Sequence, residues 1–166
     1  MSLNRGDRNG RAWKISQVLD YLYITDWYTA KNKKALDKAG ITHIINISDH
    51  KNCFPNDYEY LRIQQIDAGR DIEKHFDTAH DFIMQVKKTG GKVLVHCSQG
   101  VSRSATLVSA HLIKQKGWDA ERTVDFLRQR HSKANPNPEF HCALRRLARG
   151  TETNDDMPPR KRTKTR

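Results

Sequence analysis

The sequence has few cysteines, no long apolar run and fewer acidic than basic residues. Three cysteines in 166 residues, Cys53, Cys97 and Cys142, are too few and too scattered for a disulfide framework or a zinc site. We therefore expect a reducing, intracellular location, cytoplasmic or nuclear. No stretch approaches the roughly 18 apolar residues of a membrane-spanning helix, so no membrane span is expected. The length suits one domain with one core, and we expect a monomer.

The shortage of acidic residues leaves a large positive charge. Thirty Lys and Arg against 19 Asp and Glu give a net charge of +11, and only two of these charges come from residues 151–166. A basic body favours acidic partners such as phosphoproteins or nucleic acid, although a solvated basic surface explains the same charge. The basic run over residues 160–166 is either a nuclear-import or acidic-surface-binding segment or simply solvated chain.

Hydrophobic periodicity predicts alternating strands and helices followed by a helical run. The expected strands cover residues 13–18, 22–25, 41–47, 58–66 and 92–95, and the expected helices cover residues 26–39, 72–86, 104–116, 120–130 and 138–149. Asp26 would cap the first of these helices and Gly40 would end it. This order predicts an α/β fold, a single domain with a mixed β-sheet flanked by helices, over residues 13–149. Residues 1–12 are expected to form a flexible arm and residues 150–166 a disordered basic tail.

Residues 96–104, with the sequence HCSQGVSRS, are the most informative segment of the chain. A predicted strand leads into this short polar loop and a predicted helix leads out of it. Backbone N–H groups of such a loop, the positive end of the helix and the conformational freedom of Gly100 together form an anion site. The same field favours the thiolate form of Cys97, and the planar fork of Arg103 fits two phosphoryl oxygens. The segment predicts a sulfur nucleophile beneath a bound phosphate.

This segment resembles the HCx5R(S/T) signature of the cysteine-dependent protein tyrosine phosphatases, and its HCxxGxSRS form resembles the dual-specificity subfamily. The resemblance extends over residues 13–149 and implies a protein tyrosine phosphatase-like catalytic domain. It implies hydrolysis of phosphotyrosine and phosphoserine or phosphothreonine in proteins through a cysteinyl-phosphate, with no metal and no cofactor. Cys97 would be the nucleophile. The phosphate would be bound by Ser98, Gln99, Gly100, Val101, Ser102 and Arg103.

A proton donor for the leaving oxygen is expected on the loop before the helix that starts at Ile72. By resemblance to the family we choose Asp67, because it directly follows the predicted strand, whereas Asp71 is placed to cap that helix. Asp67 would protonate the leaving oxygen and then act as the base that activates water. Ser104 would assist the departing thiolate, or would be an ordinary polar residue of the first helical turn.

Further residues are expected to support the loop. By resemblance His96 orders the loop through backbone hydrogen bonds, with a plain core histidine as the less favoured alternative, and Ser102 is expected to bond within the loop. The sequence Pro-Asn-Pro-Glu-Phe at residues 136–140 resembles the family's Pro-Asn-x-Gly-Phe turn, with Glu139 in place of Gly. Asn137 would either buttress the loop or cap the last helix. Arg70 would either contact substrate or lie solvated at the surface.

Two other functions compete with protein dephosphorylation. The same chemistry on an RNA 5'-triphosphate or a phosphoinositide fits the basic body, but this loop lacks the lysines of HCKAGxGR members and the Asn of HCxxGxNR members. A non-catalytic phospho-binding module would have lost its nucleophile, whereas Cys97, Arg103 and Asp67 are all present. Cys53 or Cys142 would either resolve an oxidised Cys97 or be ordinary buried or half-buried thiols.

Overall fold

A computed structural model describes residues 12–69 and 71–151. The strands are β1 (Ser16–Leu19), β2 (Leu22–Asp26), β3 (His43–Asn46), β4 (Glu59–Arg62) and β5 (Val93–Cys97), and the helices are α1 (Trp27–Ala30), α2 (Lys33–Ala39), α3 (Phe76–Lys88), α4 (Arg103–Lys116), α5 (Ala120–Arg130) and α6 (Pro138–Thr151). Residues 1–11 of the predicted arm (1–12), the role suggested for Arg70 and residues 152–166 of the predicted tail (150–166) lie outside the described residues. The disorder predicted from residue 150 is wrong for residues 150 and 151, which continue α6. Within the described ranges, no helix is both long and apolar enough to span a bilayer.

The strands form one sheet in the order β1-β2-β5-β3-β4. β1 is antiparallel to β2, and the other neighbours are parallel, which confirms the predicted α/β fold with a mixed sheet. All five residues of the central strand β5 are buried, as expected for a strand covered on both faces. Cys97 pairs with Asp26 across the ladder, so the cysteine leaves the sheet at the carboxyl ends of its parallel strands.

The two faces of the sheet are covered unequally. Side chains alternate along each strand, so Val93 and Val95 join a large core with α3, α4, α5 and α6, while Leu94 joins a smaller core that includes Ala30 of α1 and Leu36 of α2. Helix α4 is central to the larger core and is buried from Arg103 to Ile113. The loop between β5 and α4 therefore connects the two most buried elements of the fold.

Three predicted elements differ from the structure. The predicted helix over residues 26–39 is divided into α1 and α2, because the Asn32 side chain accepts a hydrogen bond from the Ala35 N–H and starts a new helix. The strand predicted over residues 58–66 ends at Arg62, since its partner β3 ends at Asn46. The segment predicted to start a helix at Ile72 forms a 3-10 turn, Asp71–His75, and α3 begins only at Phe76. The N-cap position of α3 is therefore His75, and Asp71 does not cap this helix.

Candidate active site

The Cys97 side chain lies at the end of β5 and is only 3% exposed. Its Sγ accepts a hydrogen bond from the Gly100 N–H at 3.2 Å and lies 3.1 Å from the Ser104 Oγ. Gly100 has φ 69°, and a Cβ there would meet the backbone of Thr25 and Asp26 at 3.1 Å. Both the conformation and the packing therefore require glycine at this position.

Residues 98–102, which we call the phosphate loop, turn their carbonyl groups away from the cysteine. Four of these carbonyls accept hydrogen bonds from outside the loop: Ser98 from the Trp27 N–H at 3.1 Å, Gly100 from His131 Nε2 at 2.7 Å, Val101 from the Asn135 N–H at 2.7 Å and Ser102 from the Thr106 N–H at 2.9 Å. In a trans peptide the N–H points opposite to the C=O, so the following N–H groups point inward. Together with the positive end of α4 they make the concave side of the loop an anion site.

Arg103 connects the phosphate loop with the loop that carries Asp67. Its side chain is buried, and its Nη1 donates to the Gln65 carbonyl at 2.8 Å while its Nη2 donates to the Ser98 Oγ at 3.1 Å. The exposed carboxylate of Asp49 lies 3.7 Å from Nη1. A permanently charged planar group is therefore held at the rim of the anion site.

Residues 65–69, which we call the acid loop, are curled by one buried amide. The Gln65 Nε2 donates to the carbonyls of Ile66 at 3.1 Å and Ala68 at 3.2 Å, which leaves Asp67 exposed between them. Sequence reasoning missed this role of Gln65. Asp67 lies five positions after β4 rather than directly after it.

The start of α6 holds the acid loop in place. Asn137 Nδ2 donates to the Asp67 carbonyl at 3.3 Å and to the Asp67 Oδ1 at 3.2 Å. The Gly69 N–H donates to the Glu139 carboxylate, so the residue that departs from the family's turn makes a contact of its own. The structure brings Asp67 together with Asn137, whereas Asp71 lies exposed in the 3-10 turn.

Asn137 combines the two alternatives that its sequence context left open. Its Oδ1 accepts from the Phe140 N–H at 2.9 Å and so caps α6, and its own backbone N–H donates to the Ser102 Oγ at 3.0 Å. The Ser102 hydroxyl thus accepts a hydrogen bond from outside the phosphate loop, 35 positions later, and a bond donated by this hydroxyl within the loop stays a prediction. One residue thus contacts the phosphate loop, the acid loop and α6.

Two buried histidines fix the backbone on either side of the cysteine. His96 Nδ1 donates to the Cys97 carbonyl at 3.3 Å, and burial lowers the pKa of His96 to about 4. His131 Nε2 donates to Gly100, so its Nδ1 accepts from the Ser16 hydroxyl at 2.8 Å. Burial also lowers the pKa of His131, and both rings are neutral near pH 7. Sequence reasoning missed His131, which lies 31 positions from Gly100.

The other two cysteines lie in different surroundings. Cys53 is half-buried in the β3–β4 loop, where burial raises the pKa of its thiol. Cys142 is exposed on α6, so the expectation that both thiols are at least half-buried is wrong for Cys142. Its position on the outer face of an amphipathic helix explains the exposure. Whether either thiol resolves an oxidised Cys97 stays a prediction.

The chain is similar to a known protein family, to curated proteins and to solved structures. The family described as "Dual specificity phosphatase, catalytic domain" matches residues 22–149. Human protein phosphatase Slingshot homolog 2 is 34% identical over 127 residues, which are 75% of this chain and 9% of that protein. Human dual specificity protein phosphatase 1 is 39% identical over 126 residues, 75% of this chain and 34% of that protein. The matched segment thus spans about a third or less of the length of these two curated relatives.

Solved structures share the fold. The crystal structure of DUSP15 has a TM-score of 0.76 and 33% sequence identity to this chain, and the match covers 83% of this chain and 94% of that one.

Proposed function

The chain belongs to the dual-specificity phosphatase family, and we propose that it hydrolyses phosphotyrosine and phosphoserine or phosphothreonine in proteins through a cysteinyl-phosphate. Residues 22–149 form a dual-specificity phosphatase catalytic domain, with the α/β fold that its sequence predicts. One observation carries the mechanistic proposal. The Cys97 sulfur lies on the N–H side of the phosphate loop, hydrogen-bonded to Gly100 and next to Ser104.

In the first step the Cys97 thiolate attacks the phosphorus atom of the substrate. A P–S bond forms, the P–O ester bond breaks, and the leaving oxygen takes the proton of the Asp67 carboxyl. The inward N–H groups and the Arg103 guanidinium stabilise the charge on the equatorial oxygens. General acid catalysis of this kind contributes about 10² to 10⁴ in rate, which is why the hydrogen bonds that hold the acid loop matter.

In the second step water attacks the phosphorus atom of the cysteinyl-phosphate. Asp67, now a carboxylate, takes a proton from that water, the P–S bond breaks, and orthophosphate and the Cys97 thiolate are released. The Ser104 hydroxyl, at 3.1 Å from the sulfur, donates to the departing thiolate. Neither step requires a metal ion, and the neutral His96 supplies hydrogen bonding rather than a base.

A second candidate is the same chemistry on a non-protein polyanion, an RNA 5'-triphosphate or a phosphoinositide. Its support is a groove beside α1, the helix whose first residue, Trp27, donates its backbone N–H to the Ser98 carbonyl of the phosphate loop at 3.1 Å. The groove is lined by Trp13, Tyr28, Lys31, Asn32, Lys33, Lys34 and Phe54. Lys31 and Lys34 are among the cations that line the groove, and lysines suit a polyanion because they neutralise phosphate charge.

The mechanism is tested with four variants and two substrates, p-nitrophenyl phosphate and phenyl phosphate. Cys97→Ser should abolish turnover, while the matched control Cys53→Ser should keep it near the unmodified rate. On phenyl phosphate, a poor leaving group, Asp67→Ala should lower kcat by about 10² to 10⁴, and Asp71→Ala should have little effect. Equal rates for Cys97→Ser and Cys53→Ser would refute the nucleophile, and a larger loss in Asp71→Ala would move the acid to that residue.

The substrate class is tested separately by comparing kcat/KM on three classes of substrate. These are phosphotyrosine and phosphothreonine peptides, a 5'-triphosphorylated RNA and phosphoinositides in mixed micelles. We expect the phosphopeptides to be the fastest substrates. Faster turnover of the RNA or the lipid would overturn the protein substrate while leaving the two-step chemistry intact.

A further inference from the structure

A second groove lies at the opposite end of the sheet from the phosphate loop. Its volume is about 670 Å³, and it is bounded by the β1–β2 turn, the end of α3, the segment before β5, and the ends of α4 and α5. Four cations line it: Lys87, Lys92, Lys116 and Arg130. We call this feature the basic groove. The partly buried side chains of Leu19, Tyr21 and Phe126 lie between these cations.

The cations of the basic groove have no ion-pair partner among residues 12–69 and 71–150. Elsewhere in those ranges several cations do pair with carboxylates: Lys33, Lys114, Arg128, Lys133, Arg145 and Arg146. The ends of α3, α4 and α5 contribute about half a negative charge each, and Asp20 contributes one more. The Lys92 ammonium group lies toward Gly40 and the Tyr23 ring, which leaves three cations around Tyr21 and Phe126. These three exceed the local negative charge by about 0.5, so helix dipoles alone do not account for them.

The aromatic rings of the basic groove are held in place and are already in contact with cations. Lys87 Nζ lies 5.0 Å from the Tyr21 ring centroid, and Arg130 Cζ lies 3.6 Å from that of Phe126. The Tyr21 hydroxyl is hydrogen-bonded to His111 Nε2 at 2.9 Å. Rings in such contacts offer little free face for stacking of nucleic-acid bases. They do offer an apolar floor with charges at its rim.

We propose that the basic groove binds an acidic segment of a partner protein. Carboxylates of the segment pair with the cations, and an apolar side chain of the segment packs between Tyr21 and Phe126. Lys92 directly precedes β5 and Cys97 ends it, so the groove and Cys97 are separated by about 17 Å along the strand. A protein held at the groove therefore leaves the phosphate loop free and raises the local concentration of any phosphorylated residue it carries. This binding does not depend on the proposed hydrolysis.

The test measures binding of a fluorescent peptide to the full chain by anisotropy. The probe has about 12 residues, rich in Asp and Glu with two Leu, at about 50 mM salt, where screening is weak. The groove variant Lys87→Glu/Lys116→Glu is compared with Lys38→Glu/Arg149→Glu. Each pair replaces exposed cations in the last turn of two helices, so the two variants match in net charge and in dipole effects.

We expect the groove variant to bind the peptide at least tenfold more weakly and the control less than threefold more weakly. A peptide with Ser in place of Leu should bind several-fold more weakly to the unmodified chain. Both variants should keep turnover of p-nitrophenyl phosphate, which also shows that they fold. If the groove variant does not fold, Lys87→Ala/Lys116→Ala takes its place. Equal weakening in both variants, no binding at this salt concentration, or tighter binding of a single-stranded RNA of similar length would overturn the proposal.

Discussion

Asn137 contacts two loops and a helix, and its replacement by Ala should damage stability and catalysis through different atoms. Loss of the Oδ1 acceptor removes the cap of α6, which costs about 1 kcal/mol of unfolding free energy. Loss of the Nδ2 donor frees the acid loop at Asp67. One hydrogen bond is worth about 1 kcal/mol, so kcat on phenyl phosphate should fall about fivefold.

Asn137→Asp separates the two effects, because a carboxylate caps a helix as well as an amide but cannot donate to Asp67. This variant should keep its midpoint of urea unfolding near that of the unmodified chain. Its kcat on phenyl phosphate should fall about as far as in Asn137→Ala, since the carboxylate offers no donor to Asp67. The rate on p-nitrophenyl phosphate, a good leaving group, should change little in both variants.

A double-mutant cycle decides whether Asn137 acts through the acid. In an Asp67→Ala background, Asn137→Ala should have no further effect on kcat, because the group that it positions is absent. Additive losses in that cycle, or full activity of Asn137→Asp on phenyl phosphate, would refute the assignment of Asn137 as a positioning residue.

Two further predictions concern the thiolate and the buried histidines. Ser104→Ala should lower kcat about 10- to 100-fold by slowing release of the thiolate. In stopped flow with p-nitrophenyl phosphate, this variant should give a stoichiometric burst of p-nitrophenol. A loss of rate without a burst would contradict a role of Ser104 in the second step. His96 and His111 have pKa values lowered by burial to about 4 and about 3, so the unfolded chain binds more protons than the folded one below pH 6.5. Each of these two histidines should therefore lower the unfolding free energy by about 2 kcal/mol between pH 7 and pH 5. Urea unfolding at the two pH values measures this loss, and an unchanged free energy would contradict the neutral buried state of the rings.

Contacts that are local in the sequence were predictable, and those that depend on the fold were not. Cys97, Arg103 and Ser104 lie on one strand, loop and helix start, so their spacing fixes their arrangement. His131 reaches Gly100 from 31 positions away and Glu139 reaches Gly69 from 70 positions away. Neither contact leaves a pattern in the sequence, because only the packing of α6 and the preceding turn brings these residues to the loops.

The division of the first predicted helix had a local signal. Asn32 is a preferred N-cap residue in the middle of a helical pattern, and its side chain starts α2. The end of β4 had no local signal in the sequence, since the length of the neighbouring strand β3 determines where β4 ends. The sheet order likewise follows from pairing between distant strands.

The outward hydrogen bonds of the phosphate loop have a consequence for the timing of protein synthesis. Gly100 and Val101 are held by His131 and Asn135, and Ser102 by Asn137, all in the turn between α5 and α6. While the ribosome has delivered only the segment up to the end of α4, Cys97 and Arg103 are present but the residues that hold the loop carbonyls and the Ser102 hydroxyl are not. The nascent chain therefore gains these hydrogen bonds only when the segment through Asn137 has been made.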